Sequence, residues 1–191
     1  MRIIAGVAKG RHLYSPKGLR IRPTLDKVRE ALFNILGEVV QGGSVLDLFA
    51  GTGAMGIEAL SRGAETCLFV ENYGPAIETI KKNLKISGLE SKARVLKMDV
   101  FKALPLLSEK GEHFEIALLD PPYSLLEKRR ERERLFHLLE DLAQQGILST
   151  PGIVALEHRK QRIETPECLG RLLRFDERIY DDTQLTFWRL E

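Results

Sequence analysis

The chain has 191 residues, of which 43% are hydrophobic and 29% charged, a composition that fits one self-supporting globular domain burying roughly 70% of its unfolded surface. No apolar run approaches the ~18 residues of a membrane span, and "MRIIAGVAKGR" carries charge too early for a secretory leader, so a cytoplasmic protein without a membrane partner is expected. Cys67 and Cys168 form no C-x-x-C pair and the four histidines fall in no ligand spacing, which argues against a disulfide framework and against a metal.

Net charge is only +2, yet residues 1–30 hold eight basic side chains against two acidic ones, leaving a mildly acidic remainder. A basic arm on such a body is a nucleic-acid footprint, because phosphate neutralisation needs local rather than global charge. Arg2, Lys9, Arg11, Arg20 and Arg22 are the candidate RNA contacts. A solvated terminus is the competing account of the same charges.

Along the chain, "RPT" at 22–24 ends the irregular arm, and Thr24 or Asp26 can cap a helix over 26–39, where Val28, Ala31, Leu32, Ile35, Leu36 and Val39 recur at helical spacing. Beyond Gly42 and Gly43, the patterns predict strand 44–49, helix 54–62, strand 66–71, helix 75–87 and strand 93–97. A strand at 115–119, a helix near 132–145 and a strand at 153–157 follow. Strands 172–180 and 184–190 around "DDTQ" read as a terminal antiparallel hairpin. Alternating strands and helices imply βαβ units, hence a doubly wound, mostly parallel α/β sheet with right-handed crossovers. The organisation expected is one domain over 1–191, with an arm and helix at 1–40 and a core at 41–191.

The stretch "LDLFAGTGAMG" at 46–56 contains a literal G-x-G-x-x-G, and Glu71 stands 20 positions after Gly51, as in a dinucleotide fingerprint. Residues just after each strand should be read together, because ligands bind beyond the carboxyl ends of parallel strands. Here they are Asp47 with Gly51 and Gly53, then Glu71, then Asp99, then "DPPY" at 120–123. A pyrophosphate favours helix amides and few carboxylates. Asp47, Glu71 and Asp99 instead suit a ligand that offers an ammonium group, a ribose diol and an exocyclic amine, which describes S-adenosylmethionine. Gly51 and Gly53 let backbone approach it without a Cβ in the way.

These residues carry a resemblance. "VLDLFAGTGAMGIEAL", Glu71, Asp99 and "LLDPPY" resemble a class I S-adenosylmethionine-dependent methyltransferase of the amino-methylating kind. Adding "MRIIAG", "KGR" and "RPTLDKVREALFNIL", the chain resembles the RsmD-type 16S ribosomal RNA (guanine-N2) methyltransferases over nearly its full length. The resemblance implies a seven-stranded Rossmann-like sheet with the last strand antiparallel. It also implies Phe49 beside Asp47, Gly51, Gly53, Glu71 and Asp99 at the cofactor. A monomer acting on 16S ribosomal RNA, within a small subunit or its assembly intermediate, completes what it implies. The run "EKRRERER" at 127–134 and the segment 159–175 carry no motif of the family.

"DPPY" has its own chemistry. An exocyclic amine on an aromatic base is a poor nucleophile, and holding its hydrogens on acceptors raises lone-pair density on nitrogen. Asp120 can accept one N–H and the Pro121 carbonyl the other. Pro121 and Pro122 fix φ and remove amide donors, so the turn presents carbonyls. Tyr123 can stack on a base drawn out of its own stack. His158 reads as structural. Three other readings stay open on the residues alone: a nicotinamide-dependent oxidoreductase, an amino methyltransferase of adenine in DNA or another RNA, and a non-catalytic RNA-binding assembly module.

Overall fold

The computed structural model describes residues 1–15, 26–160 and 165–191. The expectations for Arg20, Arg22 and a Thr24 cap therefore lie outside the described residues. Helix α1 (Asp26–Leu36) begins where the apolar periodicity starts and ends three residues earlier than expected, because Gly37 takes φ 58 and the chain tightens into a 3-10 turn over Gly37–Val40. From there the βα units run β1 (Ser44–Leu48), α2 (Ala54–Ser61), β2 (Thr66–Glu71), α3 (Gly74–Ser87), β3 (Ala93–Lys97), α4 (Val100–Glu109) and β4 (Phe114–Leu119). A one-turn helix α5 (Tyr123–Glu127) leads to α6 (Arg129–Gln144) and β5 (Leu148–Arg159). Strands β6 (Cys168–Leu169), β7 (Leu172–Tyr180) and β8 (Thr183–Leu190) close the sheet.

The sheet order is β3-β2-β1-β4-β5-β8-β7-β6. The first five strands pair in parallel, and β8 inserts antiparallel between β5 and β7. The terminal hairpin falls where expected, turning through Asp181 (φ 50) and Asp182 with Tyr180 opposite Thr183. Among the described residues eight strands stand where the resemblance implies seven. The extra one is the two-residue β6, which pairs only with β7 at the sheet edge and is too short to leave a periodic signal.

Alternate residues of each strand serve two cores. Val45, Phe69, Ile116, Leu118 and Phe187 pack under α1, α2 and α3, while Leu46, Leu48, Leu68, Leu119 and Trp188 pack against α4 and α6. This two-sided burial is why the strands read as continuous apolar runs.

Residues 1–15 are not a loose arm. Ile3, Ala8 and Leu13 are buried in the first core. Ser61 accepts the Val7 amide with its carbonyl at 2.8 Å and the Ala8 amide with its hydroxyl at 3.0 Å. Glu58, fully buried in the middle of α2, accepts the amides of Ile4 (2.8 Å) and Ala5 (3.0 Å) and the Arg62 Nε (2.8 Å), with the buried Arg29 at 3.6 Å. An isolated buried carboxylate is costly; this one is held by two amides and two guanidinium groups.

Candidate active site

Strand β1 is interrupted at Phe49, which adopts φ 60, a conformation costing a bulky residue of order 1–3 kcal/mol. The reversal turns the chain across the strand end and delivers Gly51 and Gly53 to the start of α2. Gly53 caps that helix in the left-handed region (φ 77), and a Cβ there would press on Ile57 and Ile80 at 3.3–3.4 Å. Gly56 faces the sheet: an added Cβ would lie 2.4 Å from the Phe69 ring and 2.6 Å from the Cys67 sulfur. The three glycines thus divide their tasks, and only Gly51 lines the cleft that opens above the turn. Gly53, expected at the cofactor, is not among the residues that line the cleft; it caps α2 and packs beside Ile57 and Ile80.

That cleft measures ≈ 740 Å³ and runs along the carboxyl ends of β2, β1, β4 and β5. Of the ten residues expected for catalysis or cofactor, nine line it: Asp47, Phe49, Gly51, Glu71, Asp99, Asp120, Pro121, Pro122 and Tyr123. Its volume suits a nucleoside-sized ligand with room for an approaching base.

The carboxylates differ in environment. Asp47 is buried, and its Oδ2 accepts the Gly56 amide at 2.9 Å, tying β1 to α2. Burial pushes its pKa up to about 8; the Gly56 amide partly offsets this and the charge of Glu71 adds to it. Glu71 accepts three main-chain amides, from Gly51 (2.9 Å), Asn72 (2.8 Å) and Tyr73 (2.9 Å), so it braces the glycine turn while keeping acceptor capacity on Oε2. Asp99 caps α4 through the Phe101 amide at 3.0 Å. The capping and cleft-lining roles coexist at Asp99.

Asp120 leaves β4 next to Pro121 and Pro122, and the Pro122 carbonyl is taken by the Leu125 amide at 2.9 Å as α5 begins. Tyr123, the first residue of α5, is half-buried at the cleft. Sequence reasoning missed several further lining residues. Phe101 packs edge-on to Phe49 with ring centroids 6.2 Å apart, and the Arg134 guanidinium lies 3.7 Å over the Phe101 ring. Asn72, Tyr73 and the buried Glu157 also reach the cleft. The signal for Phe101 was available: Val100, Ala103, Leu104 and Leu107 have helical spacing, and Asp99 is a good cap, although Pro105 obscures the pattern.

Of the run 127–134, Arg134 alone lines the cleft. Arg129 and Arg134 pair along the helix with Glu133 and Glu131, so the expected charged face is real, and the exposed Arg134 also reaches over Phe101 at the cleft. His158 sits between the Arg159 carbonyl and the Thr186 hydroxyl, and burial lowers its pKa. It is a sheet residue, as expected. The thiol of Cys67 is buried and pushed well up by desolvation, which leaves it a packing group. Among the described residues no cluster of His, Cys, Asp and Glu could hold a metal ion, and no helix is long and apolar enough to cross a membrane.

The family described as conserved hypothetical protein 95 matches residues 1–189. The chain belongs to this family. It is similar to the Bacillus subtilis (strain 168) protein named "Putative rRNA methyltransferase YlbH", with 39% identity over 189 residues, 99% of this chain and 98% of that one. It is 37% identical to the Escherichia coli (strain K12) "Ribosomal RNA small subunit methyltransferase D" over 157 residues, 82% of this chain and 74% of that one. The solved structure named "Putative methyltransferase yhhF from Escherichia coli" superposes with a TM-score of 0.81 at 33% identity, covering 100% of this chain and 98% of that one. The RsmD-type resemblance and the class I methyltransferase fold read from the sequence both stand, and the chain is a methyltransferase.

Proposed function

We propose that this protein transfers a methyl group from S-adenosylmethionine to the exocyclic N2 amine of a guanine in 16S ribosomal RNA. The observation that carries the reading is one cleft that joins the glycine turn, Glu71 and Asp99 to Asp120-Pro121-Pro122-Tyr123. A dinucleotide oxidoreductase does not need that amine-binding turn, and a non-catalytic module needs neither half. The names of the relatives support ribosomal RNA as substrate and the small subunit as its source.

The residues present fit the cofactor. Glu71 can accept from a ribose diol, Asp99 from an exocyclic amine, and Asp47 from an ammonium group, with Gly51 allowing close approach. When bound, the cofactor supplies an electrophilic methyl group on a sulfonium. The protein's part is to present the nucleophile. Asp120 accepts one amine hydrogen and the Pro121 carbonyl the other, concentrating lone-pair density on nitrogen, while Tyr123 stacks on the extruded base and fixes its plane.

The basic side chains of Arg2, Lys9 and Arg11 lie on the exposed surface of residues 1–15 and, with Arg20 and Arg22, supply phosphate contacts to RNA. The chain acts as a single methyltransferase unit, a cytoplasmic monomer engaging the small subunit or its assembly intermediate. Mass spectrometry of nucleosides from small-subunit RNA, with and without the gene, tests the reading. Loss of one N2-methylguanosine is the expected result; loss of a methyladenosine, or no change, refutes it.

A further inference from the structure

We propose that Glu157 selects the base, its carboxylate accepting the ring N1–H of the target guanine beside the amine engaged by Asp120. The inference rests on the guanine-N2 reading above and names the residue that makes it specific.

The order of groups across the sheet places Glu157 on the substrate side. Asp99 follows β3, Glu71 ends β2, and Asp47 and Gly51 belong to β1, so the cofactor-type groups occupy one half of the cleft. Asp120 follows β4, and β5 is the next strand outward. Leu118 pairs with Ala155 and Leu119 with Leu156, which sets Asp120 and Glu157 at the same level of two parallel strands with their side chains on one face. Both line the cleft, and Glu157 is 7% exposed. The neighbouring His158 points to the opposite face and bonds within the sheet.

Two carboxylates side by side on strands about 4.8 Å apart, when ionised, are acceptor-only groups placed to face one base edge. Guanine offers two adjacent donors there, the N1–H and the 2-amine. Adenine and cytosine carry an amine beside a ring nitrogen whose lone pair faces outward, and a carboxylate repels it. The extra methylene of Glu157 relative to Asp120 suits the position deeper along the edge. Asp120 therefore addresses the reacting amine, and Glu157 the neighbouring ring hydrogen that distinguishes guanine.

The test uses 2-aminopurine, which keeps the 2-amine but has a lone pair in place of the N1–H. Small-subunit RNA carrying either guanine or 2-aminopurine at the methylated nucleotide is presented to the wild type and to Glu157→Gln, whose amide can donate to that lone pair. The wild type should prefer guanine by at least about 100-fold in kcat/KM. In Glu157→Gln the preference should fall to within about tenfold, with cofactor affinity unchanged by calorimetry. Loss of the 6-oxo group in 2-aminopurine is common to both enzymes and cancels in the comparison. If Glu157→Gln folds poorly, Glu157→Met supports the same comparison with an apolar side chain of similar length. A folded variant with an undiminished preference overturns the inference while leaving the guanine-N2 reading intact. A wild type that leaves guanine unmethylated overturns that reading, and this inference with it.

Discussion

Replacing Asp47 by Asn tests the electrostatics at the base of the cleft. Burial pushes the carboxyl up to about 8 in the folded protein against 3.8 for a free aspartate side chain. Between those values the folded state holds a proton that the unfolded state has released. The associated stability is fully present below about pH 4 and is lost as pH rises toward 8. Each unit of pH in that window removes the free energy of a tenfold change in an equilibrium constant, so raising pH from 5 to 7 should cost the ligand-free protein roughly 3 kcal/mol from this residue alone. Asn keeps the size and an oxygen acceptor for the Gly56 amide but has no proton to lose. Urea denaturation of both proteins at pH 5, 6 and 7 isolates the effect as the difference between their pH slopes. The wild type should lose stability with pH relative to Asp47→Asn. Parallel slopes would refute the claim that Asp47 is protonated in the folded, ligand-free protein at neutral pH.

Glu58→Gln should destabilise by about 1–3 kcal/mol, because a single amide oxygen replaces the two carboxylate oxygens that hold the Ile4 and Ala5 amides and the Arg62 Nε, while Arg29 keeps Asp26 at 3.1 Å; a melting temperature within about two degrees of wild type counts against that network. Gly56→Ala should cost about 1–3 kcal/mol by pressing on Phe69 and Cys67, with cofactor affinity retained at temperatures where it stays folded, and the reverse pattern would make Gly56 a ligand contact. Asp120→Ala should abolish most turnover while calorimetry still detects the cofactor; Tyr123→Ala should also weaken base binding by roughly 1–3 kcal/mol, and Tyr123→Phe should stay active. Full activity in Asp120→Ala would overturn the assigned chemistry.

The order of βα units and the terminal hairpin were legible in the sequence, and nine of the ten residues expected for catalysis or cofactor line one cleft. These depend on signals local in the chain: the two-residue and 3.6-residue periods, the turn glycines, and the rule that ligands bind beyond strand ends. Gly53 and Gly56 show what a local reading leaves open. The motif spells three glycines alike, yet only contact with Ile57, Ile80, Phe69 and Cys67 separates the glycines that serve packing from Gly51, which faces the ligand space. The basic arm is a second case. Its charge pattern was legible, but its docking depends on a carboxylate, Glu58, more than fifty residues away in α2. Arg134 and Glu157 were invisible for the same reason. One lies in an exposed charged run, and only the placement of α6 beside Phe101 brings it to the cleft; the other acquires meaning only when β4 and β5 align it with Asp120. Periodicity specifies which residues face inward along an element. Register between elements decides which inward faces meet, and that is a property of long-range pairing the linear pattern does not carry.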